Sequence, residues 1–290
     1  MMTKKPKVSV IILSYNTKSL LEECLRAVYN SKNIDKEELE VIVVDNNSSD
    51  DSCEMVSKKF AQARLIKNKE NIGYSAGNNA GIKIATGSYI LLLNSDAVVE
   101  KDTLKTMLDF MDQNQLLGVS TCRVELPNGE LDWACHRGFP TPWNAFTYFA
   151  GFERLFPKSR VFSGYHQSWK DLKKPHEVDV ISGAFFLIRR EIINKVGLLD
   201  ERFFMYGEDI DLCYRIRQAG YRIMFNPSVK VLHHKKQSGR NKDDEEIRKQ
   251  SERFFFETME LFYRKHYVHK YPWIVSELVF AALRMRKAKI

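Results

Sequence analysis

Three shortages in this sequence narrow its chemistry before any motif is read. Cysteine is sparse: Cys24, Cys53, Cys122, Cys135 and Cys213 are an odd number, widely spaced, with no CxxC pair. That argues against a disulfide framework or a zinc site and fits a reducing cytosol. Glycine is missing from the first strand–helix turn, "SYNTKS". A dinucleotide fold needs GxGxxG there so that the backbone can approach a pyrophosphate, so the absence counts heavily against a nicotinamide dehydrogenase, and it excludes a P-loop. Long apolar runs are also missing. No stretch can span a bilayer, and the basic N-terminal "MMTKKPKVSVIIL" carries an apolar run too short for a signal sequence.

What is present suits a soluble α/β protein. Hydrophobic residues make up 44% and charged residues 28%, ordinary values, while the net charge of +8 favours anionic partners such as nucleotides or a phospholipid surface. "VSVIILS", "LEVIVVD", "ARLIKN" and "SYILLLNSD" read as strands, the longer ones buried on both faces. They alternate with helical spacing in "TKSLLEECLRAVYNS" and "SSDDSCEMVSKKF" and with a small-residue helix, "YSAGNNAGIKIATG", closed by Gly87. That alternation predicts a parallel sheet flanked by helices. In the second half, "GVSTCRVELPNGELDWACH" predicts paired strands, and "YRIMFNPSVKVLHH" two short strands broken by Pro227. His136–Val178 is aromatic without clear periodicity, as expected of a functional loop or of small elements of its own. "GEDIDLCYRIRQAG" is a helix opened by acids, and two further helices follow Asn241.

Ligands of an open parallel sheet bind beyond the carboxyl ends of its strands. Those ends here are Ser14-Tyr15-Asn16, Asp45-Asn46-Asn47 and Asn94-Ser95-Asp96. Any one of them is an ordinary turn or cap; three on one edge make a polar pocket. Without a glycine loop, the phosphates of a bound nucleotide need another counter-charge, and a divalent cation on Asp96 would supply it. Glu208, Asp209 and Asp211 open a helix, where the dipole favours acids, and Asp211 can pair with Arg215 on the surface. They follow apolar "FFMY", so one could instead take a proton from an acceptor hydroxyl at the mouth of a packed site. His233, ending a strand beside His234, could complete a metal shell or meet a phosphate.

In this order, "VSVIILSYN", "VIVVDNNSSD", "NIGYSAGNNAGI", "LLLNSD", "ISGAFFLIRRE", "GLLDERFFMYGEDIDLCYRIRQAGY" and "VLHHKKQS" resemble the family 2 inverting glycosyltransferases, in particular rhamnosyltransferase-like members that build bacterial surface polysaccharide. The resemblance implies the A-type fold, a mostly parallel central sheet flanked by helices. Residues 1–238 would be the glycosyltransferase domain, with 1–100 the nucleotide-sugar half and 101–238 the acceptor half, and 239–290 a C-terminal helical extension. It implies a nucleotide-diphosphate sugar donor and a magnesium or manganese ion. Asp45 would hold the nucleobase beside Ser14, Tyr15 and Asn16, with Asn47 in the same group. Asn71, Gly73 and Asn78 would line the donor pocket. Asn94, Ser95 and Asp96 stand where the family carries Asp-x-Asp, with Asn94 in place of the first acid. Asp209, the second acid after Glu208, matches the catalytic base, and His233 matches a histidine near the diphosphate. The usual glycines after it are replaced by Lys235, Lys236 and Gln237.

The implied acceptor is a glycan or lipid-linked saccharide, with no nucleic acid, and the location is cytoplasmic. The last helix puts Val275, Leu278, Val279 and Ala282 on one face and carries Arg284, Arg286, Lys287 and Lys289. Its amphipathic pattern suits either the inner membrane surface or packing on its own domain or on a second copy as a homodimer. Two rivals are a sugar nucleotidylyltransferase, which would want a glycine-rich basic loop after the first strand, and a non-catalytic carbohydrate- or nucleic-acid-binding module, which would not explain acids at strand ends.

Overall fold

The computed structural model describes residues 5–235 and 245–290. The expected boundary at 238/239, together with Lys236 and Gln237, lies outside the described residues. The chain runs β1 (Val8–Ser14), α1 (Lys18–Tyr29), β2 (Leu39–Asp45), α2 (Ser52–Lys59), β3 (Arg64–Lys67), α3 (Gly73–Ile84), β4 (Tyr89–Asn94), β5 (Ala97–Val99), α4 (Thr103–Asp112) and β6 (Leu117–Glu125). It continues with α5 (Pro142–Phe149), α6 (Phe152–Leu155), β7 (His176–Glu177), β8 (Phe185–Arg189), α7 (Arg190–Val196), α8 (Glu208–Gln218), β9 (Arg222–His233), α9 (Glu245–His266) and α10 (Trp273–Lys287).

One sheet carries the order β3-β2-β1-β4-β8-β6-β9-β5, with β7 on β9. The strands β3, β2, β1 and β4 are parallel, as their unbroken apolar runs require when both faces are covered. β8 then runs antiparallel between β4 and β6. Register builds the functional edge. Ser14 pairs with Asp45, and Leu13 with Asn94, so three strands end at one level. The small residues of α3 allow that helix to lie on β1: a Cβ on Gly77 would fall 2.4 Å from Leu13, and one on Gly81 2.5 Å from Ile11. Ile11 and Ile12 are fully buried beneath, each worth about 1.5–3 kcal/mol of transfer energy.

Several local expectations are corrected. α3 closes on Ala85, and Gly87 instead lets the next turn cross the backbone of Val8 and Ser9. β9 is one strand through Pro227, because a register shift against β6 between Cys122 and Arg123 absorbs the residue that cannot donate. After β6 there is no second strand of a hairpin. A single bridge, Glu125–Leu131, leads into a short turn at Trp133–Cys135, started by the buried Asp132 accepting from the Ala134 N–H at 3.1 Å. The aromatic stretch holds α5, α6 and β7.

Asp211 and Arg215 are not a surface pair. Asp211 is fully buried because α9 lies over it, and it also accepts from Lys265 and His266 at 2.6 and 2.7 Å. α9 further stacks Phe254 on Phe204 at 5.3 Å, in the loop that leads into α8. On α10 the inward residues are Ser276, Phe280 and Leu283, and Tyr263 of α9 meets both the Ser276 hydroxyl and the Phe280 ring. The expected face is therefore split: Val275 and Val279 are half-buried, while Leu278 and Ala282 face outward.

Candidate active site

The first part of the site is the end of β2. Asp45 is buried; one carboxylate oxygen accepts from the Ser48 N–H at 2.9 Å, and the other, Oδ2, has no hydrogen-bond partner among the described residues. A buried acceptor with an open lone pair is costly unless something donates to it. The neighbouring turns are tied together around it. Asn16 and Asn47 take left-handed backbone, which asparagine tolerates, and the Asn16 side chain accepts from the Ser49 N–H at 2.8 Å. Asn46 bridges Asn68 and Asn71, and Asn71 in turn accepts from the Gly73 N–H that starts α3. Tyr15 is exposed, and a shallow open depression lined by Ser48, Ser49, Cys53 and Lys67 lies beside Asp45.

The second part lies at the end of β4. β5 pairs with β9 so that Ala97 faces His233, which sets Asp96 beside that ring. His233 Nε2 is 3.2 Å from Asp96, and its Nδ1 is 2.9 Å from Asp132; both carboxylates are buried. Burial opposes the charged ring, but the bonds to Asp132 and Asp96 outweigh it and raise its pKa to about 9. Burial likewise disfavours the Asp132 carboxylate, yet bonds from His233 and from Lys235 at 2.6 Å hold it well below the usual range. Asn94 completes the group: its Nδ2 lies 3.3 Å from His233, and its Oδ1 accepts from Tyr74 at 3.2 Å.

The third part is the start of α8, after Gly207 in left-handed backbone. Asp209 accepts from Arg137 at 2.6 Å through Oδ2 and from the Ile210 N–H at 2.8 Å through Oδ1. Each oxygen keeps a lone pair. Arg137 is anchored by its Nε on the Ala134 carbonyl at 2.9 Å. Glu208 is buried, and its Oε2 is unpartnered among the described residues. Burial, then the charge on Asp209, raises it to about 8, so it keeps its proton at neutral pH. Tyr74 stands between the second and third parts, within electrostatic reach of Glu208, Asp209 and Asp96.

The structure thus gathers Asn94, Asp96, His233, Glu208 and Asp209 around Tyr74, with Asp45, Asn16, Asn47 and Asn71 grouped at the adjoining strand end. Ser14 and Ser95 are engaged beneath the edge in a buried hydroxyl chain through Thr17. Asn78 is buried in α3 with its amide on the Tyr74 carbonyl, and Gly73 makes room for Phe204. Asp132, Arg137 and Tyr74 were missed. Their signal was faint, since each acts through a partner distant in sequence; a buried-type aspartate in "LDWACHR" was the one available hint.

A divalent cation can be tested against these donors. Among the described residues no three His, Cys, Asp or Glu side chains converge as a metal cage. Asp96 offers an oxygen, and His233, whose other nitrogen is held by Asp132 as behind a ligating histidine, would offer an imidazole nitrogen once a cation displaces the proton that its raised pKa keeps on the ring. Two protein donors, with water and phosphate oxygens for the rest, suit magnesium or manganese. The residues fit.

Comparison with known proteins points the same way. The model of "Glycosyl transferase family 2" matches residues 9–197. The chain is 27% identical over 211 residues to the N-acetylglucosaminyl-diphospho-decaprenol L-rhamnosyltransferase of Mycobacterium tuberculosis, covering 68% of this chain and 67% of that protein. It is 26% identical over 239 residues to the rhamnosyltransferase WbbL of Escherichia coli, covering 78% and 83%. In fold it resembles the mannosyltransferase PcManGT of Pyrobaculum calidifontis, solved with GDP-Man and Mn2+, with a TM-score of 0.62, 18% identity, and coverage of 99% and 73%.

Proposed function

The chain belongs to glycosyl transferase family 2, and from that premise we propose that it is an inverting, cation-assisted enzyme that moves a deoxyhexose of the rhamnose type onto a lipid-linked saccharide during surface polysaccharide synthesis. It is a glycosyltransferase using a nucleotide-sugar donor. The sugar and acceptor rest on the names of its relatives. A cytoplasmic location is supported by its five unpaired cysteines.

The observation that carries the reading is the set of carboxylates at two strand ends, Asp45 and Asp96, and at the facing start of α8, Asp209. Asp45 offers an open acceptor to a nucleobase N–H. Asp96 and His233 would hold the cation, which when bound supplies Lewis-acid neutralisation of the donor diphosphate. Asp209, kept in place by Arg137, takes the acceptor hydroxyl proton. The acceptor oxygen then bonds to the anomeric carbon as the carbon–oxygen bond to the diphosphate breaks on the opposite face, and nucleoside diphosphate leaves. Glu208, being protonated, adds no second charge beside the base.

Thermal melts with UDP, TDP, GDP, CDP and ADP, each with and without Mn2+, test this. A ligand at a hundred times its Kd stabilises by about 2.7 kcal/mol, so one nucleoside diphosphate should raise Tm by about 5–10 °C with Mn2+ and by much less without. Asp96→Ala should erase the Mn2+ increment, and Asp45→Ala should weaken nucleoside and diphosphate alike. If no nucleoside diphosphate moves Tm, or if Asp96→Ala leaves the Mn2+ increment intact, the reading fails.

A further inference from the structure

Two exposed apolar surfaces far apart in sequence meet on this molecule. On α10 the outward stripe is Trp273, Ile274, Leu278 and Met285, each 55–77% exposed. On α5 and α6 it is Trp143, Phe146, Phe149 and Leu155, with Phe156 just after α6, each 43–69% exposed. They join where the Arg286 guanidinium lies over the Phe149 ring, 5.3 Å from its centre. The second surface is built rather than ragged. Trp143 donates to the Val161 carbonyl at 2.8 Å, and Phe152 and Phe162 lie behind Phe146 and Phe156 at 5.3–5.9 Å. Exposed large apolar side chains gathered in this way mark an interaction surface.

The charge around it selects the partner. Arg154, Lys158 and Arg160 border the α5–α6 side, and the acid there, Glu153, is buried and bonded to the His166 N–H. Arg284, Arg286 and Lys289 are exposed along α10, against one acid, Glu277. Two copies brought together through this rim would repel, whereas an anionic lipid surface would be attracted. No helix among the described residues is long and apolar enough to cross a membrane. We infer that α10 and the α5–α6 segment form a single platform that docks flat on an anionic bilayer, with the aromatic and aliphatic tips in the interface and the basic rim at the headgroups. This deepens the proposed function, since its purpose rests on a lipid-linked acceptor. The platform also leads to the base: Tyr148 of α5 packs on Tyr165 at 5.0 Å, and Tyr165 lies beside Arg137, which holds Asp209.

The full chain is sedimented with vesicles of phosphatidylcholine alone or with added phosphatidylglycerol, at low and high salt. It should bind the anionic vesicles and release with salt. Ile274→Ser/Leu278→Ser should melt like the parent, Phe146→Ser/Leu155→Ser within about 4 °C of it because Phe146 also packs on Trp143 and Phe152, and each pair should weaken binding by at least about tenfold. Arg284→Ser/Arg286→Ser should weaken it by about twenty-fivefold, roughly fivefold for each basic residue. The inference is overturned if the intact chain ignores anionic vesicles at low salt, or if the Phe146/Leu155 pair binds like the parent. It is equally overturned if the chain is a dimer that these substitutions split. The nucleoside diphosphate melts run on the same protein keep this failure apart from a failure of the glycosyltransferase reading.

Discussion

Replacing Arg137 with Met removes the guanidinium that holds Asp209 while keeping an apolar stem. The pair is 2.6 Å apart, and its side chains are only 12% and 14% exposed, so it belongs to the buried rather than the surface regime. At an effective dielectric of about 20, unit charges about 4 Å apart attract by about 4 kcal/mol. Desolvation offsets much of that in the intact pair, but removing one partner strands the other, at a cost of about 3–5 kcal/mol. Each kcal/mol lowers Tm by about 2–4 °C for a domain near this size, so Arg137→Met should melt about 6–20 °C lower. Asp209→Asn in the same chain removes the stranded charge, and the double variant should recover about 2–3 kcal/mol relative to the sum of the two single losses. Turnover, followed as nucleoside diphosphate release with acceptor present, should fall about 10²–10⁴-fold in Arg137→Met, Asp209→Asn and the double variant alike, the range expected for a lost or misplaced general base. The Mn2+-dependent nucleotide shift should persist, because Asp45 and Asp96 are untouched. If the melts are strictly additive, the two groups are not coupled and the positioning role of Arg137 is wrong.

Two further outcomes follow from the neighbouring groups. Asp132→Asn keeps the shape of the His233 partner but removes its charge, and should weaken Mn2+ by about 10–100-fold, read as the Mn2+ midpoint of the nucleotide-dependent melt; an unchanged midpoint would remove Asp132 from the site. Glu208 keeps its proton to about pH 8 in the folded chain, whereas an ordinary glutamate loses it near 4.5, so the unfolded state binds fewer protons between those values and stability falls as pH rises across that window. Glu208→Gln cannot titrate, so it should match the parent near pH 5 and gain on it steadily toward pH 8.5; a difference that stays constant with pH would refute the buried, protonated acid.

The parallel half of the sheet was legible because its signal is local. "VSVIILS" and "VIVVD" are apolar on both faces, and a strand of that kind has few other places to go. The acids Asp45, Asp96 and Asp209 were legible as candidates for the complementary reason: each follows an apolar pattern at the end of a strand or the start of a helix. The second half read less well because long-range contacts override its local pattern there. Pro227 looks like a break until β6 supplies the register shift that accommodates it. Asp211–Arg215 looks like a surface pair at i, i+4 until Lys265 and His266 arrive from α9, more than fifty residues on. The structure splits the single face expected of α10 for the same reason, since Tyr263 and Arg264 of α9 draw Ser276 and Phe280 inward.

The least legible residues explain how the two chemical ends of the site are held in register. Asp132 and Arg137 lie five positions apart on the short turn after β6. One reaches His233 and through it Asp96; the other reaches Asp209. The turn is itself pinned, with Asp132 N–H on the Val124 carbonyl and Arg137 N–H on the Val180 carbonyl, at 2.8 and 3.1 Å. A shift of this segment would therefore move the supports of the proposed diphosphate side and of the proposed base together. The inverting displacement proposed for this chain would need its nucleophile and leaving group on opposite faces of one carbon, so errors in their relative placement would cost more than errors common to both. Carrying both supports on one pinned turn limits the relative error. That accounts for Asp132, where the sequence predicts a paired strand, and for Arg137, which falls in the aromatic stretch.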